Sequence, residues 1–575
     1  MTVSSGHFKF RRHDSIGAND AEDDDSFLNA CFQDTGDVDV LLNCSNPKRI
    51  VLGRTGAGKT ALLKELGKRS DRVIYVDPEH LSFNYLTNST ILPFLHELGV
   101  NLDPFYKLLW RHVFAVTIIQ AKYGITNAAA QQNAIQTLLS FFESRETKDT
   151  RKMQAQRREK ALEYIRKWND RFFEDIEHRT KELVHRFQEE VKTGIDANLR
   201  ARLSGSIPGV GKGEVDAELS EKTGQSRTFG VEEKQEVINR ARTVVNSIQV
   251  QQLGGIIDLL EEVLDDPQKP FIIAIDKLDE PWADNDLRMK LLKGLLDTVK
   301  EFGKVHNAKI VICLRIDLLE QLFRAARTES GFQEDKYRSL YLPLKWSKEN
   351  LEQLLNKRLQ KLIRDSFTTY PPKLADVLPE MIKIGRRKET KTLDYILKRT
   401  WWRPRDAIEF LNACIKKSDA KAEITKPALL EAEGEYSRTR LRSIAQEWHA
   451  HYPRLPDCVN ALLDRMTPQF TVGSIDRERI KDWALQHACT IAETGDELTE
   501  IATKVTNSVD YLEEGSHRLA SILYKTGCVG LKTASFSQTQ WADSDSYTIS
   551  SAEIKDDCVV NVHPGLWRVL GIEPG

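Results

Sequence analysis

An α/β fold with a parallel β-sheet at its core is the fold class that the sequence predicts. Three short segments carry this prediction, and each consists mainly of apolar residues: 49–52, 270–276 and 309–315. Near-continuous apolar runs of this length are typical of parallel strands that are buried on both faces. The carboxyl ends of such strands face the ligand crevice of α/β proteins. Functional residues are therefore expected where each run ends.

The strand at 49–52 leads directly into a glycine-rich segment. Its sequence is Gly53-Arg54-Thr55-Gly56-Ala57-Gly58-Lys59-Thr60, and it fits the pattern G-x-x-x-x-G-K-[ST] in full. Ala61 opens a helix-forming stretch immediately after it. A strand, a glycine turn and a helix N-terminus form a cradle whose amides and dipole favour phosphate. We expect residues 53–61 to bind ATP, with Lys59 on the β- and γ-phosphates and Thr60 on Mg²⁺.

Acidic residues follow the second strand. Asp276 ends it and is expected to hold Mg²⁺ as a Walker B aspartate does. Hydrolysis also needs a group that orients or deprotonates the attacking water. Glu280 is the first candidate for this base and Asp279 is the second. The alternative is that both acids only cap the helix after Pro281.

An arginine follows the third strand. Arg315 is placed to contact the γ-phosphate and report its presence, or else to form a structural ion pair with a carboxylate such as Asp317. The lysine loop, the Mg²⁺ carboxylate and this cation occur in the order expected of a nucleotide hydrolase.

The chain divides into a core and several additional modules. The separation between Thr60 and Asp276 requires an inserted module, and a break near Pro453 marks a second boundary. We predict a flexible tail at 1–20, an ATPase core at 21–90 and 265–345, a helical insertion at 91–264 with a flexible glycine-rich loop near 203–229, a helical lid at 346–452, and a winged-helix-like domain at 453–575. Trp401 and Trp402 are expected to pack in the core, and His563 is expected to be a packed turn histidine.

Bulk properties favour a soluble globular protein. The 575 residues are 40% hydrophobic and 29% charged, with a net charge of −2. No apolar run approaches the ~20 residues that span a bilayer. The eight cysteines are scattered without a C-x-x-C pair, which favours buried thiols in a reducing cytoplasm.

Two motifs resemble known ATPase families. Asp276-Lys277-Leu278-Asp279-Glu280 is similar to the D-G-L-D-E Walker B motif of STAND ATPases, including the NACHT group, and to the acidic motif of KAP ATPases. Residues 403–411 resemble the sensor-2 helix of AAA+ proteins of the origin-recognition type. That resemblance implies that Arg405 touches the γ-phosphate from the lid, with Arg403 as a second candidate.

A wider resemblance covers most of the chain. The glycine loop and the segments 276–282, 314–319, 403–406 and 563–567 look like a bacterial P-loop ATPase family that is related to the STAND and KAP groups. This resemblance implies an ASCE-type P-loop NTPase core and a place in an anti-phage defence locus. KAP proteins commonly carry membrane helices in an insertion, and the lack of such a run here argues against a membrane-tethered role.

Together these features predict an ATP-binding and ATP-hydrolysing switch or assembly ATPase. We expect it to form a homo-oligomer and to regulate a separate effector protein. The alternative is a DNA-binding ATPase of initiator or loader type that uses the C-terminal winged helix. Acidic residues near the C-terminal hairpin disfavour phosphate contact there. A protein that binds nucleotide without hydrolysis is disfavoured by the complete acidic motif.

Overall fold

The structure is a computed structural model. It describes residues 8–79, 91–124, 176–195, 231–248, 269–327, 333–366, 372–385, 388–490, 496–534, 536–542 and 551–573, with a few single positions between these ranges. The predicted glycine-rich loop at 203–229 lies outside the described residues. The strands are β1 Ile50–Leu52, β2 Val73–Val76, β3 Phe271–Ile275, β4 Ala308–Leu314, β5 Tyr341–Pro343, β6 Met381–Ile384, β7 Lys388–Lys391, β8 Gln469–Thr471, β9 Val529–Lys532 and β10 Val559–Val562.

Helices account for most of the remaining described structure. They are α1 Asp25–Cys31, α2 Asp37–Leu42, α3 Lys59–Arg69, α4 Ile91–Glu97, α5 Asp103–Tyr123, α6 Ile176–Thr193, α7 Val231–Ile248, α8 Asn285–Glu301, α9 Ile316–Arg327, α10 Lys348–Ser366, α11 Leu374–Val377, α12 Thr392–Leu397, α13 Pro404–Lys416, α14 Lys426–Glu447, α15 Leu455–Leu463, α16 Arg477–Thr490, α17 Glu497–Asn507 and α18 Leu512–Lys525. Among the residues described, no helix combines the length and apolar character needed to cross a bilayer.

The chain forms two compact units that interleave along the sequence. One, here called the helical unit, consists of Met1–Thr35, Gly53–Leu62 and Pro343–Gly575. The other, here called the sheet unit, consists of Gly36–Leu52 and Leu63–Leu342. The chain therefore passes from the sheet unit into the helical unit at the end of β1, where the glycine loop of residues 53–60 begins.

The sheet unit is built around a five-stranded sheet of order β2-β3-β4-β1-β5. The pairs β2–β3, β3–β4 and β1–β4 are parallel, which confirms the predicted parallel α/β core. Every residue of β1, β3 and β4 is buried, as the apolar runs predicted. Lys309 in β4 is accommodated because its Nζ donates to the carbonyls of Val40 and Asn43 at 2.9 and 2.7 Å, near the end of α2.

The segment between β2 and β3 supplies helices that cover the sheet. Its described parts form α4 to α7. The longest, α5, packs on α8, and the indole of Trp110 donates to the Leu291 carbonyl at 2.8 Å. A Cβ added to Gly294 of α8 would lie 3.1 Å from Tyr106 Cβ, so glycine permits this close helix contact. These helices join the sheet in one hydrophobic core.

The helical unit has two hydrophobic cores. One is formed mainly by α10 to α14 and includes Phe10 and Ile16 from the N-terminal segment, which are 1% and 0% exposed. The Phe10 amide donates to the Lys421 carbonyl and the Ala420 amide donates to the Phe10 carbonyl, at 2.9 and 2.8 Å. Residues 8–20 thus form a packed strap, and this differs from the loose tail that the sequence predicted.

The second core of the helical unit lies in the C-terminal region. Here α15 to α18 pack with an antiparallel sheet of order β8-β10-β9. Val560 of β10 pairs with Phe470 on one side and with Leu531 on the other. The strands β9 and β10 follow α16 to α18, whereas β8 lies between α15 and α16; the winged-helix-like assignment stays a prediction.

Candidate functional site

The glycine loop has the backbone shape that its sequence predicts. Gly56 and Gly58 have φ angles of 80° and 99°, in the left-handed region that strains residues with a Cβ. The helix α3 begins at Lys59, with Thr60 and Ala61 in its first turn. The N-terminal amides of a helix and its dipole make such a terminus favourable for an anion. The Lys59 ammonium donates to two carbonyls within the loop, at 3.0 and 3.3 Å.

Three consecutive carbonyls of the loop accept hydrogen bonds from residues of the predicted lid. The donors are Arg403 Nη1 to Thr55 O at 3.3 Å, the Arg405 amide to Gly56 O at 3.4 Å, and Trp346 Nε1 to Ala57 O at 2.9 Å. Because the C=O and the next N–H of a trans peptide point in opposite directions, the amide after each carbonyl points away from these donors. The loop is therefore fixed through its carbonyls while these amides face the other way.

Arg405, the predicted γ-phosphate contact, packs directly on this loop. A Cβ added to Gly56 would lie 2.8 Å from Arg405 Cβ. The Arg405 Nε donates to the Asn19 carbonyl at 3.2 Å, and Nη2 forms an ion pair with Asp20. The other candidate, Arg403, has a side chain that is 8% exposed, and burial lowers its pKa to about 10. The Arg405 side chain is 30% exposed, so of the two it is the one open to a ligand.

Arg54 has a partner that the sequence did not reveal. Its Nη2 donates to the Lys525 carbonyl at 2.6 Å and its Nη1 donates to the Thr526 carbonyl at 3.4 Å. These carbonyls lie at the end of α18, where a cation is favoured by the helix dipole. Arg54 occupies a variable position of the loop motif, so the motif carried no signal for this contact.

Of the aromatic residues just before α13, Trp401 is packed and Trp402 is exposed. Trp401 Nε1 donates to the Gly527 carbonyl at 2.9 Å, and its ring stacks on His563 with centroids 3.6 Å apart. Trp402 is 39% exposed, so the prediction that it packs in the core is wrong. The His563 Nδ1 accepts from the Gly565 amide at 3.1 Å, and burial holds its pKa well below the usual range. His563 is a neutral, packed turn residue, as the sequence predicted.

In the sheet unit, the predicted metal carboxylate directly follows a buried strand. Asp276 comes after β3, and its Oδ1 accepts from the Lys277 amide at 2.9 Å. Lys277 has a φ of 59°, which is an uncommon conformation for a residue with a side chain. Because β3 and β4 are parallel neighbours, Asp276 and Arg315 follow strands that end at the same edge of the sheet.

Arg315 forms an ion pair with Asp317, which is the alternative role expected for it from the sequence. Its Nε and Nη2 donate to the two carboxylate oxygens of Asp317 at 2.9 and 2.7 Å. Its Nη1 lies 3.5 Å from Asp279 Oδ2. The structure thus brings together two predicted site residues, Arg315 and Asp279, with Asp317 as the main partner of the arginine. The role of Arg315 as a phosphate sensor stays a prediction.

Glu280, the first candidate for the base, lies among other acids. Burial raises the pKa of its carboxyl, the negative charges of Asp279, Asp77 and Glu79 raise it further, and Lys277 opposes them. A raised pKa makes a carboxylate a better proton acceptor near neutral pH.

The alternative helix-capping role of Asp279 and Glu280 belongs instead to Asp284. Its side chain accepts from the Leu287 amide at the start of α8, at 3.1 Å. The backbone carbonyls of Asp279 and Glu280 accept from Arg288 Nη1 at 3.1 and 3.0 Å. Their carboxylates are therefore not used as this helix cap, and their catalytic role stays a prediction.

Comparison with known proteins adds one finding for part of the chain. The family described as "FunZ-associated C-terminal helical domain" matches residues 349–445. No curated protein matches the chain. The matched segment runs from α10 to α14 and falls within the predicted lid, so it contains both Arg403 and Arg405. Residues 349–445 are similar to the helical domain that this family describes.

Proposed function

We propose that this chain is an Mg²⁺-dependent ATPase that works as a conformational switch. The observation that carries the proposal is the glycine loop, in which left-handed Gly56 and Gly58 lead into the first turn of α3. Lys59 and Thr60 occupy the positions that bind the phosphates and the metal in loops of this sequence. A backbone of this shape favours a di- or triphosphate because its amides and the helix dipole converge on one anion site.

The order of the strands supports a core of the ASCE type. In the order β2-β3-β4-β1-β5, β4 lies between the strand before the glycine loop and the strand before Asp276. This is the arrangement expected of ASCE-type P-loop NTPases. Ligands of open α/β sheets bind outside the carboxyl ends of the strands, and both Asp276 and Arg315 follow such ends.

The proposed chemistry is hydrolysis of the γ-phosphate by water. Phosphoryl transfer requires mainly positioning and charge stabilisation. Lys59 and Mg²⁺, held by Thr60 and Asp276, would supply positive charge to the phosphate oxygens. Glu280 would take the proton of the attacking water. Burial of its carboxyl and the acids around it favour this role because they raise its pKa. Asp279 is the second candidate.

Two arginines would complete the site. Arg405 would contact the γ-phosphate from the lid with its guanidinium, since its side chain is partly exposed. Arg315 would sense the γ-phosphate if its bonds to Asp317 rearranged. Arg315 is the weaker assignment because a carboxylate already engages it through two hydrogen bonds.

A switch is favoured over a simple hydrolase because the loop is connected to distant parts of its own unit. Arg54 bonds to the end of α18, and the lid bonds to three loop carbonyls. The β8-β10-β9 sheet and its helices fit a winged-helix-like domain that would respond to the nucleotide. We propose that the protein forms a homo-oligomer and regulates a separate effector in bacterial anti-phage defence.

The charges of the α18 side chains disfavour DNA binding by the C-terminal domain. Arg518 donates to Glu500 at 2.9 Å and to Glu497 at 3.3 Å, so its charge is balanced within the domain. Glu513 and Glu514 add negative charge to the first turn of this helix. A helix that contacts the DNA backbone needs positive charge, so the initiator or loader alternative is the less favoured one.

Two variants test the ATPase proposal. Lys59→Ala should abolish ATP binding, measured with a fluorescent ATP analogue. Glu280→Gln should bind ATP normally but release no phosphate. Lys68→Ala and Glu431→Gln are matched controls, since both change surface residues that form simple ion pairs.

The two variants test the nucleotide site and the catalytic base separately. Binding by Lys59→Ala that equals that of the wild type would refute the nucleotide site. Normal turnover by Glu280→Gln, with Lys59→Ala inactive, would leave the ATPase in place and transfer the base role to Asp279.

A further inference from the structure

We propose that Asp20 is a positioning residue for Arg405, an inference that rests on the proposed ATPase function. Asp20 holds the edge of the guanidinium formed by Nε and Nη2, so that the end of the fork, with Nη1, is presented to the γ-phosphate. Arg405 Nη2 forms an ion pair with the Asp20 carboxylate, and Arg405 Nε donates to the Asn19 carbonyl. All of these residues belong to the helical unit.

The geometry of the guanidinium allows Arg405 to bind Asp20 and a phosphate at the same time. Arginine has five N–H donors in a rigid planar fork. The bonds to Asn19 and Asp20 use donors on Nε and Nη2, which form one edge of the fork. The donors on Nη1 take part in neither bond. A phosphate can therefore bind at the end of the fork while the side-on bonds stay in place.

The strap that carries Asp20 is fixed just before that residue. The side chain of Asn412 accepts from the Ile16 amide at 2.9 Å and donates to the Gly17 carbonyl at 3.0 Å. Asn412 and Arg405 are seven residues apart on α13, or about two turns, so they share one face of the helix. The strap thus follows this face from Asn412 to Arg405.

The strap is also fixed just after Asp20. Asp24 forms an ion pair with Arg358, and these side chains are 3% and 4% exposed. Arg358 also donates to the Ile16 carbonyl at 3.0 Å, and Asp24 accepts from the Ala18 amide at 2.8 Å. Gly17 has a φ of 119°, and an added Cβ would clash with Arg358 and Asp24. A segment held so closely on both sides gives Asp20 a defined position rather than a chance surface contact.

The ion pair itself is only partly buried. The Arg405 and Asp20 side chains are 30% and 52% exposed. Exposed pairs of this kind contribute little to folding stability. We therefore expect Asp20 to orient Arg405 and not to stabilise the fold. Loss of Asp20 should then change the handling of ATP but not the stability of the protein.

The test compares Asp20→Asn, Asp20→Glu and Arg405→Ala in the full chain. We expect Asp20→Asn to weaken ATP binding or turnover about three- to fivefold, a factor set by the strength of exposed ion pairs, with ADP affinity unchanged. Asp20→Glu should restore much of this loss because it keeps the charge. Asp23→Asn is the matched control, since Asp23 is an exposed acid three residues after Asp20.

A double variant separates positioning from general damage. If Asp20 acts through Arg405, adding Asp20→Asn to Arg405→Ala should cause no further loss. Additive losses, equal effects on ATP and ADP, or a lowered melting temperature in Asp20→Asn would overturn the proposal in favour of a structural role. Tighter ATP binding or faster turnover by Asp20→Asn would overturn it too, because Asp20 would then restrain Arg405.

The two proposals can fail separately. If the wild type does not bind ATP and Lys59→Ala has no effect, the ATPase function is wrong. If Lys59→Ala abolishes ATP binding and Arg405→Ala weakens ATP binding or turnover, but Asp20→Asn matches the wild type, only the positioning role is wrong.

Discussion

The guanidinium of Arg54 donates a hydrogen bond to the backbone carbonyl of Lys525 at 2.6 Å. This contact joins the second residue of the glycine loop to the end of α18, two segments far apart in the sequence. A cation at a helix C-terminus is stabilised by the helix dipole. The loop proposed to bind phosphate is thus bonded to the domain proposed to move.

We predict that Arg54→Ala loosens the C-terminal domain without removing the nucleotide site. The loss should be ~1 kcal/mol of local stability, the size of a favourable charge at a helix terminus. Amide hydrogen exchange should accelerate in the last turn of α18 and in β9, while ATP affinity changes less than about threefold. Arg465→Ala, which removes a cation that is 83% exposed, is the control. Unchanged exchange in Arg54→Ala would show that the contact does not hold the domain.

Trp346 gives a prediction about the lid. Its indole donates to the Ala57 carbonyl at 2.9 Å, so Trp346→Phe keeps an aromatic ring but removes the bond. We expect the contact between the lid and the loop to be weakened by about 1 kcal/mol, the usual net value of one hydrogen bond, because the loop carbonyl loses its donor. The KM for ATP should rise several-fold with little change in kcat, as measured by phosphate release. A lower kcat at constant KM would instead place Trp346 in the chemical step.

Several of these features were predictable from the sequence. The glycine loop was found between a strand and a helix because its motif fixes the backbone conformation, and the structure has β1 before it and α3 after it. The buried strands β3 and β4 followed from uninterrupted apolar runs.

Other features depend on contacts between distant segments, which local patterns do not encode. The strap was expected to be loose because its composition is polar, but Phe10 and Ile16 are enough to anchor it in a core. The partner of Arg54 is a backbone carbonyl, and a carbonyl has no residue-specific signal. Asp284 was a detectable cap, since an acid three residues before Leu287 at a helix start is a known pattern.

Glu280 gives a prediction about pH. Burial and neighbouring acids raise its pKa above the usual glutamate value, while Lys277 opposes the rise. If Glu280 is the base, it must be ionised, so kcat should fall as the pH drops through this raised pKa. The same shift means that ionised Glu280 opposes folding above that pKa, and the opposition disappears as the pH falls through it.

Lys277→Met checks this assignment. It removes a positive charge that lowers the pKa of Glu280, so the acidic limb of the kcat profile should move to higher pH. Lys290→Met in α8 is the control for a general loss of positive charge. An acidic limb that does not move in Lys277→Met, or that persists in Glu280→Gln, would show that a different group titrates.

Glu433 in α14 has a buried carboxylate, and the residue is 1% exposed. It accepts from Arg399 Nε at 2.5 Å, from the Tyr395 hydroxyl at 2.6 Å and from Arg568 Nε at 3.2 Å. Glu433→Gln leaves the buried Arg399 without its counter-charge, and breaking such pairs costs about 3–5 kcal/mol. The free energy of unfolding, measured by urea denaturation, should fall by this amount. Glu431→Gln breaks an exposed pair with Lys417 and should cost less than about 1 kcal/mol; equal losses in the two variants would contradict the expectation that burial sets the cost.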